Sequence, residues 1–146
     1  MTEKELWSAF VKENPDVDAE YEAWAFGVDA DHLGKLVLTG VKTATASAYP
    51  LYAVDGEDLP EIGQYSVILD AQDNAVCIIK TTHVSIVPFC KVTPEHAYKE
   101  GEGDRSLSYW RQVHESIFTQ WLEEAGLTFT EELPVVCEEF TVVYKP

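Results

Sequence analysis

Between residues 63 and 79 the chain reads Gly63-Gln64-Tyr65-Ser66-Val67-Ile68-Leu69-Asp70-Ala71-Gln72-Asp73-Asn74-Ala75-Val76-Cys77-Ile78-Ile79, and here the hydrophobic pattern has a period of two. Tyr65, Val67 and Leu69 alternate with Gln64, Ser66 and Ile68. The tetrad Ala71-Gln72-Asp73-Asn74 supplies turn chemistry before the apolar run resumes, which predicts a β-hairpin. Downstream, Thr81, Thr82, Val84, Ile86 and Val87 prolong the second strand as far as Pro88, a residue that bends a strand or confines it to an edge. The segment from Val135 to Tyr144 predicts a closing strand.

On either side of this β-rich middle the period is helical. Trp7, Phe10 and Val11 share one helix face, and the Asn14-Pro15 step ends that helix because a residue before proline avoids helical backbone. Asp18 predicts the cap of a second helix carrying Tyr21 and Trp24, and a third runs from about Asp29 through Leu33, Leu36 and Val37 to Gly40. Thr93-Pro94-Glu95 is a strong helix start, with Gly101 as its stop. Leu107, Trp110, Val113, Ile117 and Trp121 form the apolar stripe of a longer helix that Gly126 ends. Strands mixed with short helices, without regular alternation, predict an α+β fold. The order fits a small, partly closed β-barrel with flanking helices, one of them over its mouth. One domain over residues 1–146 is expected, with an N-terminal helical extension over about residues 1–32.

Composition narrows the function. Ten Lys and Arg against 26 Asp and Glu leave a formal charge of −16, which disfavours duplex DNA, since such binding draws on cations that displace counterions. Three widely spaced cysteines, Cys77, Cys90 and Cys137, build neither a disulfide framework nor a zinc site, and they point to a reducing cytoplasm. No apolar run reaches the roughly eighteen residues of a membrane span, and no signal peptide is evident. Neither a metal nor a cofactor is called for: His32, His83, His96 and His114 form no HxxxH pair, and no phosphate-cradling glycine loop or GxSxG elbow occurs.

Two segments carry candidate chemistry. In Gly40-Val41-Lys42-Thr43-Ala44-Thr45-Ala46-Ser47, a strand would place Thr43, Thr45 and Ser47 on one face as a row of hydroxyls toward a cavity. Lys42 joins Thr45 in one pocket only if it still lies on the turn after Gly40, or if a bulge intervenes. In the second segment, His96-Ala97-Tyr98-Lys99-Glu100-Gly101-Glu102-Gly103-Asp104-Arg105, Glu100 falls in the last helical turn, where the carbonyl ends disfavour a negative charge, so its proton is expected to be held tightly. Arg105, in the glycine-rich loop that follows, is a candidate ligand contact. Trp110 belongs to the apolar stripe.

At Gly40, Lys42 and the hydroxyl row, and again at Glu100, the sequence resembles the ASCH family, whose members have a PUA-like barrel. The family pattern has a Gly, any residue, a Lys, and an Arg five positions after the Lys; here Ser47 stands at the Arg position. Short bacterial members that act as N4-acetylcytidine amidohydrolases use a Lys, a Thr three positions later, and a Glu four residues after the His of a His-Ala pair. Lys42, Thr45 and Glu100 after His96-Ala97 match that arrangement. The resemblance implies amide hydrolysis on a modified nucleoside, with Thr45 as nucleophile, Glu100 as proton donor, and Lys42 as base or as oxyanion stabiliser. Gly40, Thr43, Ser47 and Arg105 are the candidate substrate contacts. Two alternatives stay open at this point: an RNA-binding or ribonuclease module acting on short single-stranded RNA, and a non-catalytic domain that binds a metabolite or a protein. Oligomeric state leaves no signature in the sequence.

Overall fold

In the computed structural model, which describes residues 1–146, the hairpin forms the middle of a five-stranded mixed sheet. Its elements in chain order are α1 (Glu3–Glu13), β1 (Tyr21–Trp24), α2 (Ala30–Leu38), β2 (Ala44–Ala48), α3 (Tyr49–Asp55), β3 (Tyr65–Leu69), β4 (Ala75–Pro88), α4 (Pro94–Glu100), α5 (Leu107–Glu124) and β5 (Pro134–Tyr144). The strand order is β1-β3-β4-β5-β2, with β1 parallel to β3 and the other pairs antiparallel. β4 and β5 pair along most of their length, and β4 bends where the register shifts between Thr81 and His83.

The central strands are buried on both faces, as a strand covered by helices on either side must be. Val67, Leu69 and Ile78 cluster with Leu6 and Phe10 of α1. On the opposite face Ile68, Cys77 and Ile79 cluster with Leu33 and Val37 of α2. A third cluster joins β2 and β5 to α4 and α5 through Ala48, Val135, Cys137, Ala97, Trp110, Phe118 and Leu122. The two outer strands, β1 and β2, do not pair with each other. Residues of both nevertheless line one cavity, so the sheet curls until its edges face across a gap. This is the partly closed barrel that the order of elements led us to expect.

Two expectations need correction. Tyr21–Trp24 is a strand and not a helix, so the N-terminal stretch over about residues 1–32 is only partly helical. The spacing of Tyr21 and Trp24 suits a helix turn, but pairing with β3 overrides it and sends Tyr21 and Ala23 toward α1 while Glu22 and Trp24 line the cavity. In α5 the buried row is Trp110, His114, Phe118 and Leu122. The stripe read from apolar residues alone lies to one side of this row, because the polar His114 interrupts the pattern that would have revealed it. Ile117 and Trp121 from that stripe face the cavity.

Candidate functional site

The site forms where the end of α4 meets the turn after α2. The backbone N–H groups of Val41 and Lys42 both donate to the Leu36 carbonyl, at 2.9 and 3.0 Å, so Lys42 belongs to the turn and not to β2. Thr43 N–H then donates to the Lys99 carbonyl at 2.7 Å and ties this turn to α4. Gly101 makes the approach possible: its φ is +73°, and a Cβ there would lie 2.5 Å from the Val41 carbonyl oxygen.

The contact brings Lys42 against Glu100 in the interior, where they are 1% and 2% exposed. Lys42 Nζ has three acceptors: Glu100 Oε1 at 3.2 Å, the Glu100 carbonyl at 3.3 Å and Glu102 Oε2 at 2.8 Å. Three acceptors match the three N–H donors of an ammonium. The other oxygen of Glu100 is held by His96 Nε2 at 2.7 Å and by the indole N–H of Trp110. His114 Nε2 lies 3.6 Å from Glu100 Oε1, and its ring stacks on Trp110 with centroids 4.2 Å apart.

This shell reverses the expectation for the Glu100 proton. Burial pushes the carboxyl up, but the Lys42 ammonium and the imidazoles of His114 and His96 outweigh it and hold Glu100 well below the usual carboxylate range. The helix-end effect considered from sequence is weaker than a buried ammonium 3.2 Å away. Trp110 is buried, as its place in the apolar stripe implied, and it is also a hydrogen-bond donor to Glu100.

Lys42, Thr45, Ser47 and Glu100 line one cavity of about 820 Å³ at the gap between β1 and β2. Trp24, Phe26, Tyr52 and Trp121 supply flat apolar walls, and the Lys42 ammonium lies 5.4 Å from the centroid of the Phe26 ring. Six carboxyl groups, Glu22, Glu57, Asp58, Glu100, Glu102 and Glu138, also line it. Thr45 pairs with Glu138 across β2 and β5, and such cross-strand partners project from the same face. Glu138 is 8% exposed and accepts a hydrogen bond from Thr81 Oγ1 at 2.8 Å. Burial pushes its carboxyl up, the Thr81 hydroxyl offsets part of that rise, and the charge of Glu22 adds to it.

The remaining candidates lie outside the cavity lining. Thr43 turns its hydroxyl toward the Lys99 carbonyl, and Gly40 forms the turn that releases α2 into Lys42. Arg105 stacks on the Tyr98 ring at 3.6 Å and donates to the carbonyls of Tyr98 and Val41, so it fastens the loop. Burial raises the thiols of Cys77 and Cys137 to about 12, which leaves neither as a nucleophile at neutral pH. No group of three or more His, Cys, Asp and Glu side chains is arranged to hold a metal ion.

Sequence reasoning missed Glu138, and it missed His96 and His114 as partners of Glu100. The signals were present. Two adjacent acids inside Val135-Val136-Cys137-Glu138-Glu139-Phe140 must face opposite sides of a strand, so one of them points inward. His96 and Glu100, four apart, share a helix face.

Comparison with known proteins agrees with this fold. The ASCH domain profile matches residues 22–144. The crystal structure of a protein from Enterococcus faecalis V583 superposes with a TM-score of 0.88 at 35% identity, covering 97% of this chain and 88% of that one. That of an ASCH domain from Lactobacillus crispatus JV V101 gives a TM-score of 0.86 at 31% identity, covering 97% and 93%. A hypothetical protein at 15% identity, with a TM-score of 0.55 over 83% of this chain and 99% of its own, shares the fold. No curated protein matches the chain.

Proposed function

The chain belongs to the ASCH domain family, with its α+β, PUA-like architecture, and we propose that it hydrolyses the amide bond of a small modified nucleoside such as N4-acetylcytidine. The observation that carries this proposal is the convergence of Lys42, Thr45 and Glu100, drawn from two distant segments, on one aromatic-walled cavity of about 820 Å³. A volume within the roughly 300–1,000 Å³ of small-molecule sites suits a nucleoside.

Thr45 Oγ attacks the amide carbonyl carbon, forming a C–O bond and an oxyanion as its hydroxyl proton passes to cavity water. The Lys42 ammonium stabilises that oxyanion, and Glu100 keeps the ammonium in place, so Glu100 acts as a positioning residue. Collapse transfers the acyl group to Thr45 and releases the heterocyclic amine. Water then cleaves the ester, returning the threonine and a carboxylic acid. All of this uses side chains of the chain itself, without a cofactor.

The carboxylate lining favours such an uncharged ligand over single-stranded RNA, whose phosphates would meet six acidic groups and one lysine already paired. No helix is long and apolar enough to cross a membrane, and three unpaired thiols favour the cytoplasm as the setting. The test compares wild type with Lys42→Ala, Thr45→Ala and Glu100→Gln on N4-acetylcytidine and on single-stranded RNA. Cytidine release should collapse in all three variants while RNA stays intact throughout. Undiminished cytidine release by Thr45→Ala would overturn the assignment.

A further inference from the structure

An amide nitrogen departs readily only as a neutral amine, so the hydrolysis proposed above needs a proton at that nitrogen as the C–N bond breaks. Glu100 does not supply it. Its Oε1 faces Lys42, and its Oε2 accepts from His96 and Trp110, a shell built for a carboxylate and not for an O–H. Glu102 is likewise committed to Lys42 at 2.8 Å. Glu22, Glu57 and Asp58 are exposed to solvent.

Glu138 differs from all of these. It is 8% exposed, yet no Lys, Arg or His lies within ion-pair distance of it. A buried carboxyl without a cation favours its neutral form. Thr81 occupies Oε2, while Oε1 has no hydrogen-bond partner in the chain. The residue also stands directly across the strand pair from Thr45 and lines the same cavity.

We propose that Glu138 is the catalytic acid, delivering a proton to the departing nitrogen on the side of the cavity where Thr45 attacks. The step balances. As the Thr45 C–O bond forms and the C–N bond breaks, the Glu138 O–H passes to nitrogen, while the Thr45 hydroxyl proton passes to cavity water, from which Glu138 is reprotonated. In the second half-reaction water takes the place of the threonine hydroxyl, and threonine oxygen takes the place of the leaving nitrogen. Glu138 therefore ends each half-reaction in the form in which it began. The assignment rests on the hydrolase function proposed above and adds to it the group that carries the proton.

The discriminating experiment uses two acyl donors: N4-acetylcytidine, whose nitrogen needs a proton to leave, and p-nitrophenyl acetate, whose phenolate does not. In Glu138→Gln, kcat for the amide should fall about 10²- to 10⁴-fold with KM little changed, while ester cleavage persists. Thr45→Ala should lose both activities. The amide side chain keeps an acceptor for Thr81, and surviving esterase activity doubles as evidence that the variant folds. Glu138→Asp, which retains an acid but withdraws it by one methylene, should fall between Glu138→Gln and wild type on the amide. Full amide activity in Glu138→Gln, or equal loss on both substrates, would overturn the role of Glu138 and leave the hydrolase function standing. A wild-type protein that cleaves neither substrate would overturn both.

Discussion

Glu100 and Glu138 are buried to nearly the same degree, 2% and 8% exposed, and they line the same cavity, yet their surroundings drive them apart. Glu100 sits at the end of α4 among an ammonium, two imidazoles and an indole N–H. Glu138 lies in mid-strand with a single hydroxyl for company and a like charge, Glu22, on the strand opposite the gap. Burial alone would raise both. What separates them is the number and sign of the groups each one meets, and a divergent pair of carboxyls is how one site holds a fixed charge and a mobile proton together.

The largest effect that would test this contrast is on stability. Lys42→Met leaves Glu100 buried without its cation and should cost about 3–5 kcal/mol in urea denaturation at neutral pH. Glu138→Gln, which removes no cation pair, should cost far less, and equal penalties at the two positions would break the comparison. Trp110→Phe comes next: it keeps most of the buried ring but removes one donor to the ionised Glu100, for an expected loss of about 1.5–3 kcal/mol by the same measurement.

The smallest effect is the most diagnostic, because its sign differs between the two residues. The lowered Glu100 contributes stability that is present above the ordinary value of 4.5 and lost as pH falls through its depressed pKa. The raised Glu138 contributes stability that is present below 4.5 and lost as pH rises through its elevated pKa. Stability of wild type measured relative to Glu138→Gln should therefore decline as pH climbs from 4.5, whereas relative to Glu100→Gln it should decline as pH drops below 4.5. Parallel slopes would mean that the two environments are not opposed.

Much of the fold was legible because its local signals agree with its tertiary structure. The hairpin at Ala71–Asn74, the Thr93-Pro94 helix start and the closing strand each appear where their residues place them. β1 was not legible. Its partner β3 lies some forty residues downstream, and four residues spaced like a helix turn carry no trace of that pairing. For the site, the Lys42, Thr45 and Glu100 set could be found through family likeness, and Lys42 does lie on the turn that its spacing demanded. The protonation of Glu100 could not, because it depends on His96, His114 and Trp110 closing around one carboxylate through tertiary packing. Arg105, which its scarcity in sequence marked as special, lies outside the cavity lining, and the loop uses its donors to fix itself to Tyr98 and Val41.

The cradle around Lys42 has a kinetic corollary. Its three N–H bonds are already engaged, so a substrate oxygen gains access to the ammonium only by exchanging places with a resident acceptor. Glu102, at 21% exposure the most hydrated of these, sits in the loop beyond α4 and is the cheapest to dislodge. Under the proposed hydrolase function, turnover would then begin with a swap of ligands on a stationary cation, the reorientation confined to one loop carboxylate while the deeper ion pair stays fixed.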